Sequence, residues 1–361
     1  MWKHAGIGRY VSELSAALIQ EDFGIDFTFL SGPNFEGSLQ RAAASSRCSK
    51  FQRTFSGIYG PAEQFEIPFR SLGADLLHVP HFNVPFFSPG KLVTTVHDLI
   101  YLRDPQALRS GLGRAYASWL FKGVEKRACA VIVVSENTRS DLLERFPGIS
   151  RERVTVIPEA VSSHLGRIDD ADVLENVRRK HGLKNPFVLF VGSLKPHKNV
   201  EGLIEALETV RREQKLPHDL VIVGRPDPKY PKIMECIRKH SFVNYLGELS
   251  DPELAALYSM AEVFVLPSFY EGFGLPALEA MACGVPVLVS NRASLPEVVG
   301  DAGKVFDPDR VDALSELLYN TLKNRDLRKE MSKRGSERAR QFSWKRTAQE
   351  TVGVYERVLG S

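Results

Sequence analysis

The sequence predicts an α/β protein built from two doubly wound, Rossmann-like domains. Short apolar runs alternate with amphipathic helical segments, five times in the second half of the chain. Unbroken apolar strands of this kind are typical of parallel sheets that helices cover on both faces. The length of 361 residues is enough for two domains of about 150 residues each. A hydrophobic fraction of 43% with 25% charged residues is that of an ordinary globular protein.

The first half shows the alternation less regularly than the second. Its predicted strands are the apolar runs 25–30, 76–79, 92–96 and 130–134. A helix is predicted over 7–20, because Val11, Leu14 and Leu18 recur at helical spacing. A parallel α/β domain normally places a strand before such a helix. Two interpretations follow: either this sequence does not begin at the natural start, or the first domain lacks its first strand.

Strand, loop and helix follow one another regularly in the second half. The predicted strands are the apolar runs 187–191, 220–223, 243–246, 263–266 and 285–289. Helical periodicity covers 199–215, 251–260 and 275–283. The domain junction is expected between the strand end at 156–158 and the polar stretch 166–185. The predicted domains are 1–163 and 164–341, followed by a helical segment over 342–361.

Charge and cysteine usage exclude several classes of protein. Lys plus Arg total 47 and Asp plus Glu total 44, a net charge of +3, which is too balanced for a dedicated nucleic-acid binder. The four cysteines have no C-x-x-C spacing and are expected to be buried, reduced thiols in a cytoplasmic protein. No apolar leader and no run of about 18–20 apolar residues occurs, so we expect neither a signal peptide nor a membrane span.

Three glycine-containing loops are candidates for phosphate binding. They are the segments 5–10, 192–199 and 271–275, each ahead of a predicted helix. Glycine lets the backbone approach a ligand closely, and a helix N-terminus favours an anion. Tight turns, and for 192–199 a solvated basic turn, are the structural alternatives. No complete G-x-G-x-x-G or Walker A motif occurs, so neither a dinucleotide oxidoreductase nor a P-loop nucleotidase is supported.

Other polar patterns give weaker indications of function. The D-x-D triplets at 170–172 and 307–309 are expected to be solvated turns rather than metal ligands. No cysteine–histidine cluster has zinc spacing, and no G-x-S-x-G elbow is present. The basic, aromatic segment 103–127 either packs on the core with a solvated basic face or contacts an anionic membrane peripherally.

The segment 268–287 resembles the signature of the retaining glycosyltransferases of family 4, which have the GT-B fold. Its centre is a glycine loop between two glutamates eight positions apart, Glu271 and Glu279. Further segments resemble the family in the same order along the chain, namely 6–10, 95–99, 133–138, 156–158 and 192–199. The resemblance implies two Rossmann-like domains that face each other across a cleft. It also implies that the last helix, in 342–361, crosses back to the first domain.

The resemblance implies roles for individual residues. His97 and Glu271 correspond to catalytic residues, with Glu271 beside the transferred sugar and His97 facing it from the first domain. Lys198 corresponds to the cation on the donor diphosphate, and Glu279 to the carboxylate on the donor ribose. The implied donor-binding residues are Gly6, Ser193, Lys198, Phe273, Gly274, Leu275 and Glu279.

Three positions in two segments depart from the family pattern. Many members have Arg where this chain has Ser193, so one diphosphate cation is missing there. Lys195 and His197 are the candidates to replace it, but His197 is expected to be a neutral surface residue. After Pro158 many members have Asn-Gly, whereas this chain has Glu159 and Ala160. A catalytically weak relative that binds a nucleotide sugar is therefore a second hypothesis.

The resemblance implies a retaining, metal-independent hexosyltransferase that needs no cofactor and uses a nucleotide sugar. The 192–199 loop is similar to that of many bacterial mannosyltransferases, which favours mannose from GDP-mannose and leaves a UDP-hexose as the alternative donor. The implied acceptor is a glycan or a lipid-linked glycan of polysaccharide biosynthesis. The expected location is the cytoplasm, with peripheral contact to the inner face of the membrane as a further hypothesis.

Overall fold

The chain folds as two compact units, each with its own parallel sheet. The computed structural model describes residues 5–32, 49–57, 60, 62–103, 111–162 and 164–360. The first unit is Met1–Glu159 with Ser343–Ser361, and the second is Ala160–Phe342. Helices connect most of the strands in both units. This architecture confirms the predicted fold class of two Rossmann-like domains.

All pairings between the described strands are parallel. The strands are β1 (Phe27–Ser31), β2 (Ser49–Arg53), β3 (Leu76–Val79), β4 (Lys91–Val96), β5 (Ala130–Val133), β6 (Val154–Val156), β7 (Phe187–Val191), β8 (Asp219–Val223), β9 (Val243–Gly247), β10 (Val263–Leu266), β11 (Val287–Ser290) and β12 (Lys304–Phe306). Strands β1 to β6 belong to the first unit and β7 to β12 to the second.

Helices of both units lie between and after these strands. They are α1 (Ala5–Gln20), α2 (Glu63–Arg70), α3 (Ile100–Arg103), α4 (Gly111–Arg127), α5 (Glu136–Arg145), α6 (Ala171–Lys180), α7 (Val200–Gln214), α8 (Pro231–Lys239), α9 (Asp251–Met260), α10 (Leu275–Ala282), α11 (Leu295–Val299), α12 (Val311–Lys323), α13 (Arg325–Ala339) and α14 (Trp344–Leu359). Helices α1 to α5 and α14 lie in the first unit, and the others in the second. Among the described residues, none of the helices is long and apolar enough to cross a membrane.

The first unit contains a four-stranded sheet of order β3-β4-β5-β6, while β1 and β2 form a separate two-stranded sheet. Within the described residues no strand precedes α1. The predicted glycine loop 5–10 is wrong in its local structure, because α1 already begins at Ala5. Strand β2 was not predicted, because its sequence, Ser-Lys-Phe-Gln-Arg, is mostly polar and none of its residues is buried.

A buried apolar cluster packs α4 and α5 against the larger sheet of the first unit. The Phe121 ring stacks on Phe82 at 4.4 Å and on Phe146 at 5.4 Å between ring centroids. These three residues belong to one buried apolar cluster with residues of β3, β4 and β5. One face of α4 therefore packs on the core, as one of the two interpretations of segment 103–127 expects. Residues 104–110 of that segment lie outside the described residues.

A chain of hydrogen bonds connects α1 and α14 through the sheet of the first unit. The Tyr10 hydroxyl lies 3.2 Å from Thr95 Oγ1, which lies 2.9 Å from His78 Nε2. His78 Nδ1 lies 2.6 Å from the Tyr355 hydroxyl. Burial, together with positive charge on His97, lowers the pKa of His78 to about 3, so its ring is neutral at pH 7. Each hydroxyl group and the neutral imidazole in this series can then donate one hydrogen bond and accept one.

The six-stranded sheet of the second unit has the order β12-β11-β10-β7-β8-β9. From β7 in the middle, the chain runs outward to β9 and then returns to β10 on the other side of β7. The strand order therefore reverses between β7 and β10. In doubly wound sheets, ligands bind outside the carboxyl ends of the strands at such a reversal. The loops after β7 and β10 are the place to look for a site.

Candidate active site

The loop after β7 is shaped by its neighbour after β8. Its backbone turns at Gly192, whose amide donates to Val223 at 2.9 Å, and Leu194 donates to Arg225 at 3.0 Å. Gly224 has a φ of 147°, and a Cβ atom there would lie 1.9 Å from the Gly192 carbonyl oxygen. Only glycine permits this backbone approach. The loop then forms a single turn of 3-10 helix, Pro196–Lys198, and enters α7.

The loop after β10 is fastened to the loop after β7 and to the segment before α11. The Phe269 amide donates to the His197 carbonyl at 2.7 Å. The Ser294 hydroxyl donates to the carbonyls of Glu271 at 2.9 Å and Phe273 at 2.7 Å. Gly274 has a φ of 113°, and a Cβ there would lie 2.6 Å from the Leu295 side chain. The backbone ahead of α10 is therefore held by contacts on two sides.

Lys198 and Glu271 meet where these two loops join. Lys198 Nζ donates to Glu271 Oε1 at 2.6 Å, and the Ser268 hydroxyl donates to the same oxygen at 2.7 Å. Their side chains are only 15% and 11% exposed. A charged pair held this far from water needs its partner, because removing one charge leaves the other without compensation. The pair places a cation and a carboxylate together at the strand-order reversal.

Glu279 lies in α10 and is buried. The Tyr258 hydroxyl donates to its Oε2 at 3.0 Å. Burial, with the charge of Glu279 as the next cause, raises the pKa of the Cys283 thiol to about 12. Cys283 is therefore a neutral thiol rather than a nucleophile at pH 7. Cys129 is exposed, so the expectation of buried cysteines is wrong there. Phe273, Gly274 and Leu275, which precede Glu279 along the chain, are buried as well.

The position predicted to lack a diphosphate cation is Ser193. Its carbonyl accepts from the Lys195 amide at 3.0 Å, within the loop after β7. Burial first, and then the charges of Lys198 and Lys195, lower the pKa of His197 to about 3. His197 is therefore neutral at pH 7, and it is half-buried rather than a surface residue. It does not supply the missing positive charge.

Gly6 and His97, the remaining predicted site residues, lie in the first unit. Gly6 is in the first turn of α1, whose amides have no partner within the helix. His97 directly follows β4 and is buried. Its Nδ1 lies 3.0 Å from Glu159 Oε1, and its Nε2 lies 3.1 Å from the Pro80 carbonyl oxygen.

Sequence reasoning missed the residues that support the predicted site. Ser268 and Ser294 bind Glu271, and Tyr258 binds Glu279. A serine or tyrosine gives no signal in the sequence alone, because its role depends on a distant partner. Glu159 could be noticed in the sequence because it departs from the family pattern, but its contact with His97 was not predicted.

The D-x-D triplets have local partners. Asp170 caps α6 by accepting from the amides of Asp172 and Val173. Asp307 and Asp309 both pair with Arg292, at 3.0 and 2.7 Å. In the part of the chain that the structure describes, no three His, Cys, Asp or Glu side chains are grouped so that they could hold a metal ion.

Comparison with known proteins assigns the chain to a family. The family model Glycosyltransferase Family 4 matches residues 4–164, and Glycosyl transferases group 1 matches residues 174–338. The O-antigen chain mannosyltransferase B of Escherichia coli is 34% identical over 284 residues, which cover 78% of this chain and 74% of that protein. The chain belongs to glycosyltransferase family 4.

Other similar proteins agree with this family 4 assignment. The serotype-specific mannosyltransferase WbdA of Escherichia coli is 31% identical over 78% of this chain, which spans only 35% of WbdA. The structure of HepE from Anabaena, solved with UDP and glucose, superposes with a TM-score of 0.77 at 18% identity. That match covers 99% of this chain and 97% of HepE. It shows that this family 4 glycosyltransferase has the GT-B fold.

Proposed function

We propose that this family 4 glycosyltransferase is a retaining hexosyltransferase that takes mannose from GDP-mannose. The observation that carries the proposal is the pair of Lys198 and Glu271 at the strand-order reversal. A nucleotide-sugar donor presents a diphosphate next to a sugar. A cation and a carboxylate in contact match these two parts of the donor.

In the proposed reaction, the bond between the anomeric carbon and the diphosphate oxygen breaks while the acceptor hydroxyl bonds to that carbon on the same face. The hydroxyl proton passes to the leaving diphosphate. Lys198 stabilises the negative charge of the diphosphate, and Glu271 stabilises positive charge on the sugar ring. Phe273, Gly274 and Leu275 are proposed to offer backbone amides to the donor, as is Gly6, with Ser193 beside the diphosphate. Glu279 is proposed to bind the ribose, and His97 to be the catalytic residue of the first unit.

Mannose is favoured as the transferred sugar because two of the similar proteins are mannosyltransferases. A UDP-hexose is the alternative donor, since HepE was solved with UDP and glucose. Ser193 favours a second candidate function, a weak enzyme that binds a nucleotide sugar without transferring it efficiently. No metal and no cofactor belong to the proposed mechanism, in which Lys198 supplies positive charge to the leaving diphosphate.

A calorimetric titration of the full chain with GDP, UDP and ADP tests the proposed donor class. We expect GDP to bind with a Kd at least about tenfold lower than that of UDP or ADP. Tighter binding of UDP would instead support the alternative donor. Binding of none of the three would contradict a nucleotide-sugar site in this chain.

The acceptor is proposed to be a glycan or a lipid-linked glycan, which the enzyme reaches from the cytoplasmic side of the membrane.

Helix α4 exposes Tyr116 and Trp119 beside the cations Lys122 and Lys126. Aromatic and basic side chains on one helix are suited to an anionic lipid surface. In a sedimentation assay with anionic lipid vesicles, we expect the protein in the vesicle pellet at low salt and in the supernatant at high salt. Absence from the vesicle pellet at low salt would refute this contact.

A further inference from the structure

We propose that Glu159 is a positioning residue that holds His97 as a hydrogen-bond donor through both of its ring nitrogens. The state of the ring follows from contacts within the first unit. Its consequence for sugar transfer rests on the proposed function. Neither the sequence pattern nor the comparisons assign a role to Glu159.

Three strands of the first unit bring the participating groups to one edge of the sheet. Pro80 follows β3, His97 follows β4, and Glu159 comes three residues after β6. The carboxyl ends of parallel strands lie at the same edge of a sheet. The contacts are a consequence of the fold, since 62 positions separate His97 from Glu159 along the chain.

The partners of His97 determine which ring nitrogens carry protons. The Pro80 carbonyl oxygen can only accept, so the Nε2 atom at 3.1 Å must donate. An ionised Glu159 carboxylate can also only accept, so Nδ1 at 3.0 Å must donate as well. With both bonds made, the imidazole carries two protons and the carboxylate balances its charge. The side chains are 9% and 7% exposed, which leaves little water to substitute for either partner.

The other groups around the ring fit this arrangement. The Tyr10 ring of α1 meets the His97 ring edge-on at 4.6 Å, and the His81 ring lies at 6.3 Å. The ring of His78 is neutral at pH 7. The Asp98 carboxylate accepts from the Ile100 amide at the start of α3. Glu159 is thus the carboxylate that the structure shows bonded to the His97 ring.

A doubly donating ring limits what His97 can do. It cannot take a proton from a substrate hydroxyl, so it does not serve as a general base in this state. It can donate from Nε2 to an oxygen of the sugar, which would take the place of the Pro80 carbonyl. Glu159 strengthens that bond, because hydrogen bonds from a charged donor are about twice as strong as neutral ones.

Nitrogen-15 NMR of the full chain, labelled at histidine, reads the ring state directly. The chain has nine histidines, and the His97 signals are assigned by their loss in His97→Gln. At pH 7 we expect proton-bearing signals from both His97 nitrogens in the wild type. In Glu159→Gln the carboxamide can donate to Nδ1, so we expect Nδ1 to lose its proton while Nε2 keeps it. An unprotonated Nδ1 in the wild type, or an unchanged spectrum in Glu159→Gln, would overturn the proposal.

Two further variants separate this role from a loss of folding. Glu159→Asp keeps the carboxylate and is expected to restore two proton-bearing nitrogens. Glu262→Gln alters a histidine–glutamate pair of the second unit, in which His218 Nε2 lies 3.1 Å from Glu262 Oε2. It is expected to leave the His97 signals unchanged. If Glu159→Gln does not fold, the wild-type and Glu159→Asp spectra still decide the assignment.

Kinetics test the functional consequence. With GDP-mannose as donor, we expect Glu159→Gln to lower kcat about tenfold, the loss of one charge-assisted hydrogen bond, with the donor KM unchanged. Glu262→Gln should match the wild type in both constants. An unchanged kcat in Glu159→Gln, despite the altered spectrum, would overturn the role in transfer. Absence of transfer by the wild type would refute the proposed function, while the spectra would still test the ring state.

Discussion

Replacement of Glu271 by Gln is expected to lower kcat for sugar transfer on the order of 10²-fold. Gln has nearly the same shape, and its oxygen can still accept from Lys198 and Ser268, so the loops after β7 and β10 should keep their geometry. The uncompensated charge of Lys198 should lower the stability of the second unit without unfolding it. The variant loses the negative charge that stabilises positive charge on the sugar. Initial rates at saturating GDP-mannose measure the effect, and thermal unfolding shows that the fold is intact.

The second unit contains a matched control for this substitution. Glu253 accepts from Lys180 at 2.8 Å and from Ser250, three positions earlier, at 2.7 Å. Glu271 likewise accepts from a lysine and from a serine three positions earlier. Glu253→Gln should therefore leave kcat unchanged. If the two variants lose activity equally, or if Glu271→Gln keeps full activity, Glu271 has no special role in the reaction.

Removal of residues 343–361 is expected to abolish the cooperative unfolding of the first unit. Helix α14 buries several large side chains there, among them Trp344, Val352 and Tyr355. Each contributes about 1.5–3 kcal/mol, so together they approach the whole stability of a typical domain, about 5–15 kcal/mol. The helix also makes polar contacts, including Tyr355 with His78 and Thr347 with the Pro158 carbonyl.

Differential scanning calorimetry tests the truncation. A chain that ends at Phe342 should lose the transition of the first unit and keep that of the second. A chain that ends at Gly360, which lacks only the last residue, is the control and should behave like the full chain. Two unchanged transitions in the longer truncation would show that α14 is dispensable for the first unit.

The second unit was predictable because four of its six strands are buried on both faces. Strands such as β7 and β10 are continuous apolar runs, and such runs are visible in any sequence. Strand β12 was not predicted, since only Phe306 of its three residues is buried. Strand β2 was missed for the same reason. Exposed strands depend on hydrogen bonds to a neighbour, which the amino-acid pattern does not record.

The candidate site, like the fold, was predictable only in part. The resemblance to family 4 named Lys198, Glu271 and Glu279, and their roles stay predictions. The contact between Lys198 and Glu271 was not predicted, because it depends on how the loops after β7 and β10 meet. The helix predicted over 7–20 is present, but the glycine loop predicted over 5–10 was wrong, because α1 begins at Ala5 and continues through Gly6 and Gly8. The contact between Glu159 and His97 was not predictable, because it depends on where β4 and β6 end in space.

Calorimetric titration of Lys198→Met, with the nucleoside diphosphate that the wild type binds best, tests whether the pair of Lys198 and Glu271 marks the donor site. Loss of one charge-assisted bond to the diphosphate should raise Kd about 10- to 100-fold. Lys180→Met, which removes the lysine of the matched pair, should bind like the wild type. Wild-type affinity in Lys198→Met would contradict the assignment of the donor diphosphate to this pair.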